Sequence, residues 1–380
     1  MNRYSHRVDA FRVLIRCLAP ANPDQALAKD IGAGRISWER VVEIASEYWM
    51  TLILYRELGE KDLLHLLPPN DRNDLLEYFQ AIHDANLARN QGILAHAEQL
   101  AGMFNEIDVE PVLLKGVAHL ASGLYADPAV RFMYDIDLLV PDERALECWR
   151  LLSAAGYRTL AKDREKRPEC MPQDWPALHH PDRAAEVEIH FRTEWKHLLG
   201  SPSLYTDARP LAWNGGKAWI LNPTSRLIFT LGHSYVHDRL GRRADPAFRD
   251  LYDAMLLARS LDREIDWRLV MESFARAGEA ESLRVAGMMW QRLLSQPTPW
   301  TVDPPRLGWL YWQRCLLKVW NPMWLQIEDA VTANVRSVRT ALSRTAEGKQ
   351  ARRRFSKPSI LLRKLRTAAV LSAGREPRRD

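Results

Sequence analysis

Two aspartates one residue apart, Asp135 and Asp137, sit inside a largely apolar run, Arg131-Phe-Met-Tyr-Asp-Ile-Asp-Leu-Leu-Val140. The run has the length and alternation of a β-strand, and side chains on a strand alternate between faces. Asp135 and Asp137 therefore point one way, while Ile136 and Leu138 point the other. Adjacent carboxylates repel, and burying them is costly without a cation between them. Hard divalent ions such as Mg²⁺ accept this arrangement and bring phosphate oxygens with them. The pair reads as a metal site.

The surrounding chain supplies the elements that such a site needs. Val112-Leu-Leu-Lys-Gly116 reads as a short apolar strand ending in Lys-Gly, and residues 117–125 as a helix. Pro141 opens a further helix through Ala155, stopped by Gly156, and Tyr157 to Leu160 reads as a strand. Ala185-Glu-Val-Glu-Ile-His-Phe191 alternates again: Val187, Ile189 and Phe191 face inward, and Glu186, Glu188 and His190 face the other way. The polar stretch 162–176 reads as a surface insertion or flap.

Both flanks read as helical. Ser37 is placed to cap a helix carrying Val41, Ile44, Ala45, Tyr48 and Trp49 at helical spacing. Residues 71–106 carry an apolar stripe for one long helix or two. After Pro223 come a helix capped by Thr224 or Ser225 that runs through His233 and His237, a second over 249–258, and two more over 266–277 and 281–294. The fourteen tryptophans are expected to pack between helices. These readings divide the chain into an N-terminal helical region (1–106), an α/β core (107–222), a C-terminal helical region (223–340) and a basic tail (341–380).

Composition excludes several classes. The four cysteines show no CxxC pairing, which argues against a zinc site or a disulfide framework. The sequence shows no signal peptide and no apolar run of membrane-spanning length, so a cytoplasmic protein is expected. The net charge of +5 is concentrated from Arg344 onward. Residues 359–373 form a basic amphipathic pattern, suited to a solvated arm or to contact with anionic lipid or RNA, the former placing the protein at the membrane periphery.

A third carboxylate would complete a two-metal phosphoryl-transfer site, in which ions about 3.5–4 Å apart stabilise the incoming and departing oxygens. Glu188 is the first choice, with Glu186 on the same face as its competitor. Leu114-Lys-Gly116, Arg131, Asp135-Ile-Asp-Leu-Leu-Val140, Gly156-Tyr157 and Val187-Glu-Ile-His190 together resemble the uncharacterised bacterial nucleotidyltransferase family of the polymerase-beta-like superfamily. His233, His237 and Phe248-Arg-Asp-Leu-Tyr-Asp253 are similar to that family's helical half, so the resemblance spans roughly residues 80–260.

The resemblance implies an α+β fold, with a small mixed sheet flanked by N- and C-terminal helical lobes. It also implies two Mg²⁺ ions on Asp135, Asp137 and Glu188, and a nucleoside triphosphate donor, with ATP chosen on commonness alone. Lys115, Gly116, Arg131 and His190 are the expected nucleotide-binding residues. Lys115-Gly116-Val117 stands where the superfamily has Gly-Ser, and Glu188 where Asp is common. Lys115 meets phosphate as a point charge or pairs with an acid, and Arg131 grips phosphate or fixes the loop before its strand. Gly116 lets backbone approach phosphate or makes a tight turn. Asp253 reaches the cleft or ties helices together.

The expected reaction moves a nucleoside monophosphate to a hydroxyl of a small molecule, carbohydrate, peptide or protein. Two alternatives stand beside it: a toxin-like transferase acting on tRNA or a protein, and a non-catalytic nucleotide-binding module. His233 and His237 have zinc-compatible spacing but no third ligand in sequence, so core or cleft histidines are expected.

Overall fold

The computed structural model describes residues 6–19, 25–159, 175–191, 198, 208–211, 213, 215–300 and 303–321. Residues 162–174 of the flap expected over 162–176, and the basic segment 341–380, lie outside the described residues. Residues 1–311 form one compact unit and residues 312–380 a second. The architecture is α+β, as expected: a mixed seven-stranded sheet with helices before and after it in the chain.

Four helices lead the chain: α1 (Arg7–Leu18), α2 (Gln25–Gly32), α3 (Trp38–Glu47) and α4 (Thr51–Glu60). Ser37 occupies the N-cap of α3, although its side chain makes no capping bond. Tyr48 and Trp49, expected on the stripe of that helix, fall beyond its end, and Trp49 takes a left-handed φ of 59°. The long stripe forms one helix, α5 (Pro69–Asn105), started by a proline at a position where a missing N–H is harmless.

The sheet strands are β1 (Val112–Leu113), β2 (Asp135–Leu139), β3 (Arg158–Thr159), β4 (Leu178–His179), β5 (Glu186–His190), β6 (Ala208–Leu211) and β7 (Ala218–Leu221). Their spatial order is β3-β4-β5-β2-β1-β7-β6. β2 lies parallel to β5 and antiparallel to β1, and β1 is parallel to β7. The register pairs Asp135 with Glu186, Asp137 with Glu188 and Leu139 with His190. Both strands of that pair carry alternating polar and apolar residues, so a one-residue slip would separate Ile136 and Leu138 from Val187 and Ile189, all four of which are buried in this register.

Between β1 and β2 runs the short helix α6 (Lys115–Ala121), and between β2 and β3 runs α7 (Ala145–Ala154). Gly156 follows α7 with φ 95°, the conformation that makes glycine the favoured helix stop. After β7 come α8 (Pro223–Gly232), which continues as a π turn over His233–His237, then α9 (Leu240–Arg243), α10 (Phe248–Leu261), α11 (Trp267–Arg276), α12 (Ala280–Leu294) and α13 (Gly308–Trp320). The cap of α8 is Asn222, whose side chain accepts from Ser225 N at 2.8 Å, rather than Thr224 or Ser225. Pro223 at the first helical position explains the shift.

Two devices fix the segment leading into β2. On one face of α5, His83, Asn86 and Asn90 recur at helical spacing. His83 Nε2 lies 2.8 Å from Asp127 Oδ2, Asn86 Nδ2 donates to Ala129 O at 2.5 Å, and Asn90 Nδ2 donates to Pro128 O at 2.6 Å and Arg131 O at 2.8 Å. From the other side, buried Asp253 of α10 accepts from Arg131 Nε at 3.0 Å and Nη2 at 2.7 Å, and from Tyr125 Oη at 2.5 Å. Burial alone would raise the Asp253 carboxyl, but the Arg131 charge holds it well below the usual carboxylate range.

The neighbouring Tyr252 donates to Glu57 of α4 at 2.6 Å. Consecutive residues of α10 thus tie down the N-terminal helices and the approach to β2. Asp253→Ala would leave Arg131 buried without its partner. It is expected to lower unfolding free energy in urea by about 3–5 kcal/mol. Arg131→Met/Asp253→Leu together should recover part of that loss, and a cost for Asp253→Ala below about 1 kcal/mol would contradict the clamp.

Candidate active site

The turn from β1 into α6 delivers a cation to the acidic face of β2. Leu114 N extends the sheet by bonding Asp137 O at 3.0 Å, and Lys115 then turns the chain with a left-handed φ of 48°. That conformation is strained for a residue with a Cβ and is held only where surrounding contacts over-determine it. Here the contact is ionic: Lys115 Nζ donates to Asp137 Oδ1 at 2.7 Å. His190 Nε2 reaches the same oxygen at 2.8 Å and lies 3.6 Å from Glu188 Oε2.

The electrostatics follow from crowding. Burial pushes Asp137 up, but the Lys115 charge and the His190 hydrogen bond outweigh it and hold the carboxyl well below its ordinary range. Burial, then the Asp137 charge, push Glu188 up to about 7. The same two causes raise Asp135. Burial lowers Lys115, yet the charges of Asp137 and Glu188 more than offset it and fix the ammonium in its charged form.

Asp137, Glu188 and His190 each bring one ligand atom to within 4.8 Å of the others, the arrangement a cation needs. Asp135 shares the face by strand alternation but stands outside that group, and Glu186, opposite it in the register, does as well. Carboxylate oxygens suit a hard divalent ion. With Lys115 on Asp137 Oδ1, Asp137 Oδ2 and the Glu188 oxygens are the acceptors left for a metal, so the residues present fit one.

Lys115, Asp137, Glu188 and His190 are thus brought together. Arg131 is not with them: its guanidinium is committed to Asp253, which makes it a fastener of the loop before β2. Gly116 is shaped by that fastener, because a Cβ there would land on the Arg131 guanidinium. His233 and His237 stack at 5.5 Å in the π turn, and His233 Nδ1 lies 3.2 Å from Asp238 Oδ2. Burial, then the Lys115 charge, lower His233 to about 3, so it is neutral at physiological pH. The two belong to no cluster of three metal-ligating groups among the described residues.

Sequence reasoning passed over His119 of α6, which lies 2.9 Å from Arg226 Nη2 and is lowered to about 3 by burial. It also passed over Arg89, and it read Trp49 only as a helix-stripe residue. Phe132 stacks on Trp49 at 4.7 Å and lies beneath the Arg89 guanidinium at 5.0 Å. An aromatic followed by an acidic strand was a visible signal, but the partners lie about forty and eighty residues upstream.

Because Glu188 binds its proton more tightly in the folded chain than in the unfolded one, its contribution to stability is complete below the ordinary carboxylate range and is lost as pH rises towards about 7. Without divalent ions, the melting temperature of Glu188→Gln relative to the parent protein should therefore climb between pH 5 and pH 8. A difference that stays flat across that range would contradict the crowded-acid description.

Comparison with curated proteins gives no match, and comparison with solved structures gives none either. A family model described as uncharacterised nucleotidyltransferase matches residues 34–295, a stretch that contains the long helix α5, the acidic strands and the helices through α12. With that match covering well over half of the sequence, and the acidic face within it, the chain belongs to the uncharacterised nucleotidyltransferase family.

Proposed function

We propose that this protein transfers a nucleoside monophosphate from a nucleoside triphosphate to a hydroxyl of an acceptor, at the face formed by Asp135, Asp137 and Glu188. The observation that carries this reading is the register that sets Asp137 beside Glu188 on parallel strands, with Lys115 delivered onto Asp137 by the β1–α6 turn. Fully ionised, three carboxylates and one ammonium leave an excess of two negative charges, which is the charge of a divalent cation. The oxygen donors favour Mg²⁺ over softer metals.

Asp137 and Glu188, with Asp135 beside them, are the residues to hold the metal. Bound Mg²⁺ would supply Lewis acidity at phosphate and neutralise the charge that develops on the leaving group. Lys115 keeps Asp137 ionised and presents a fixed positive charge at the head of α6 for the donor's phosphate oxygens. His190 holds Asp137 Oδ1 from the β5 side, so the carboxylate is oriented by two donors at once. Arg131 acts at one remove, by packing against Gly116 and setting where α6 begins. As the acceptor oxygen bonds to the α-phosphorus, the bond to pyrophosphate breaks.

A small molecule, carbohydrate, peptide or protein acceptor is compatible with this chemistry. A second reading, a nucleotide-binding module without turnover, draws on the Lys115 ammonium neutralising Asp137. Incubation with α-labelled nucleoside triphosphates, Mg²⁺ and fractionated cell extract separates the two. Transfer should require Mg²⁺, vanish in Asp137→Asn, and fall roughly 10²–10³-fold in Lys115→Met, the usual effect of removing a fixed electrostatic group. Transfer that persists in Asp137→Asn would contradict the proposed site. Nucleotide binding without pyrophosphate release in any fraction would favour the binding module.

A further inference from the structure

A cavity of about 330 Å³ is bounded by Ser46, Trp49 and Thr51 at the α3–α4 turn, Asn86 and Arg89 of α5, and Phe132. Its volume lies within the range of small-molecule sites. Phe132 precedes Asp135 by three residues, so their Cα atoms are at most about 11 Å apart. That separation is short enough for a small molecule to bridge.

The walls are largely apolar, yet they hold one charge with nothing to balance it. Arg89 stacks over the Phe132 ring at 5.0 Å, and its guanidinium makes no ion pair or hydrogen bond among the described residues. Its buried Nε has no partner. A guanidinium set over an aromatic ring has lost part of its hydration and presents its remaining N–H groups as a planar fork, the geometry that matches carboxylate or phosphate.

Asn86 contributes a second polar group without a partner. Its Nδ2 is committed to the carbonyls of Ala129 and Arg131, which fixes the amide orientation, while the buried Oδ1 has nothing to accept from. Buried polar atoms are normally satisfied, so the Arg89 Nε donor and the Asn86 Oδ1 acceptor in one cavity wall point to a ligand that carries both an anionic acceptor and a hydrogen-bond donor. Trp49, 44% exposed and parallel to Phe132 at 4.7 Å, provides a flat rim in a strained left-handed turn.

From this geometry we infer that the cavity binds an organic anion with an apolar body, its carboxylate or phosphate on Arg89 and its apolar part against Phe132 and Trp49. Resting on the transfer reading, this makes the acceptor such an anion, anchored in the cavity with its hydroxyl directed to the acidic face. The charge distinguishes it from a nucleobase, which is neutral and would leave Arg89 uncompensated.

Binding of phenyl phosphate and phenylacetate to the full chain tests this, with neutral benzyl alcohol and adenosine as comparisons, read by calorimetry and by the fluorescence change that Trp49→Phe removes. No metal or triphosphate is present, so the outcome is independent of whether the chain transfers nucleotides. At least one aromatic anion should bind roughly tenfold or more tighter than benzyl alcohol, as a charge-assisted hydrogen bond provides. Arg89→Gln should abolish that preference and Arg89→Lys restore part of it. Equal binding of the neutral probe, an anion preference that survives in Arg89→Gln, absence of binding by either anion, or a Trp49 response to adenosine in place of the anions would each overturn the proposal.

Discussion

The ion pair between Arg131 and Asp253 is the interaction on which the rest of the site depends. It joins the residue that leads into β2 to a helix more than a hundred positions later, and both partners are buried. Removing two charges from water is costly, and the bidentate geometry with an added hydrogen bond from Tyr125 is what makes it tolerable. Arg131 then serves as a wall for Gly116, which explains why the first turn of α6 lacks a side chain there. With α6 fixed, Lys115 has one place for its ammonium, on Asp137. A contact distant in sequence from the acids thus sets their charge state.

The acidic face is a balance of opposing requirements. Strand register forces Asp137 and Glu188 together, burial raises both, and only Asp137 receives enough positive charge to offset it. Glu188 is left with its pKa raised to about 7 by burial and the Asp137 charge. The strained backbone at Lys115 sits at the same spot, so stored strain, crowded charge and a strand-to-helix turn coincide within a few residues. Membership of a nucleotidyltransferase family agrees with that concentration of costly features in one place.

Much of this was legible in the sequence wherever a local period carried it. Alternation in 135–139 and 186–190 marked both acidic strands and their faces, and the stripe over 71–106 marked the long helix. What was missed is nonlocal. β1 was read as a strand, but β7, which lies beside it in the sheet, is too short to alternate recognisably and was not. Asn222-Pro223 signalled the cap of α8 two to three residues earlier than the hydroxyl residues that followed. Trp49 had the spacing of a helical core residue, but the helix stopped before it and turned it to the surface. Arg131 looked as suited to phosphate as to a carboxylate, because nothing near it in sequence reveals that Asp253 will arrive. Residue types and alternation located the acids, whereas the partners that tune them came from tertiary contact.

The central claim, that the face of Asp137 and Glu188 is a divalent-cation site, is tested most directly by titrating the full chain with Mn²⁺ in place of Mg²⁺ and following bound ion by electron paramagnetic resonance. The parent protein should bind Mn²⁺ and compete it off with Mg²⁺, and Asp137→Asn and Glu188→Gln should each weaken that binding. Mn²⁺ held equally well by the parent and by both variants would contradict the account.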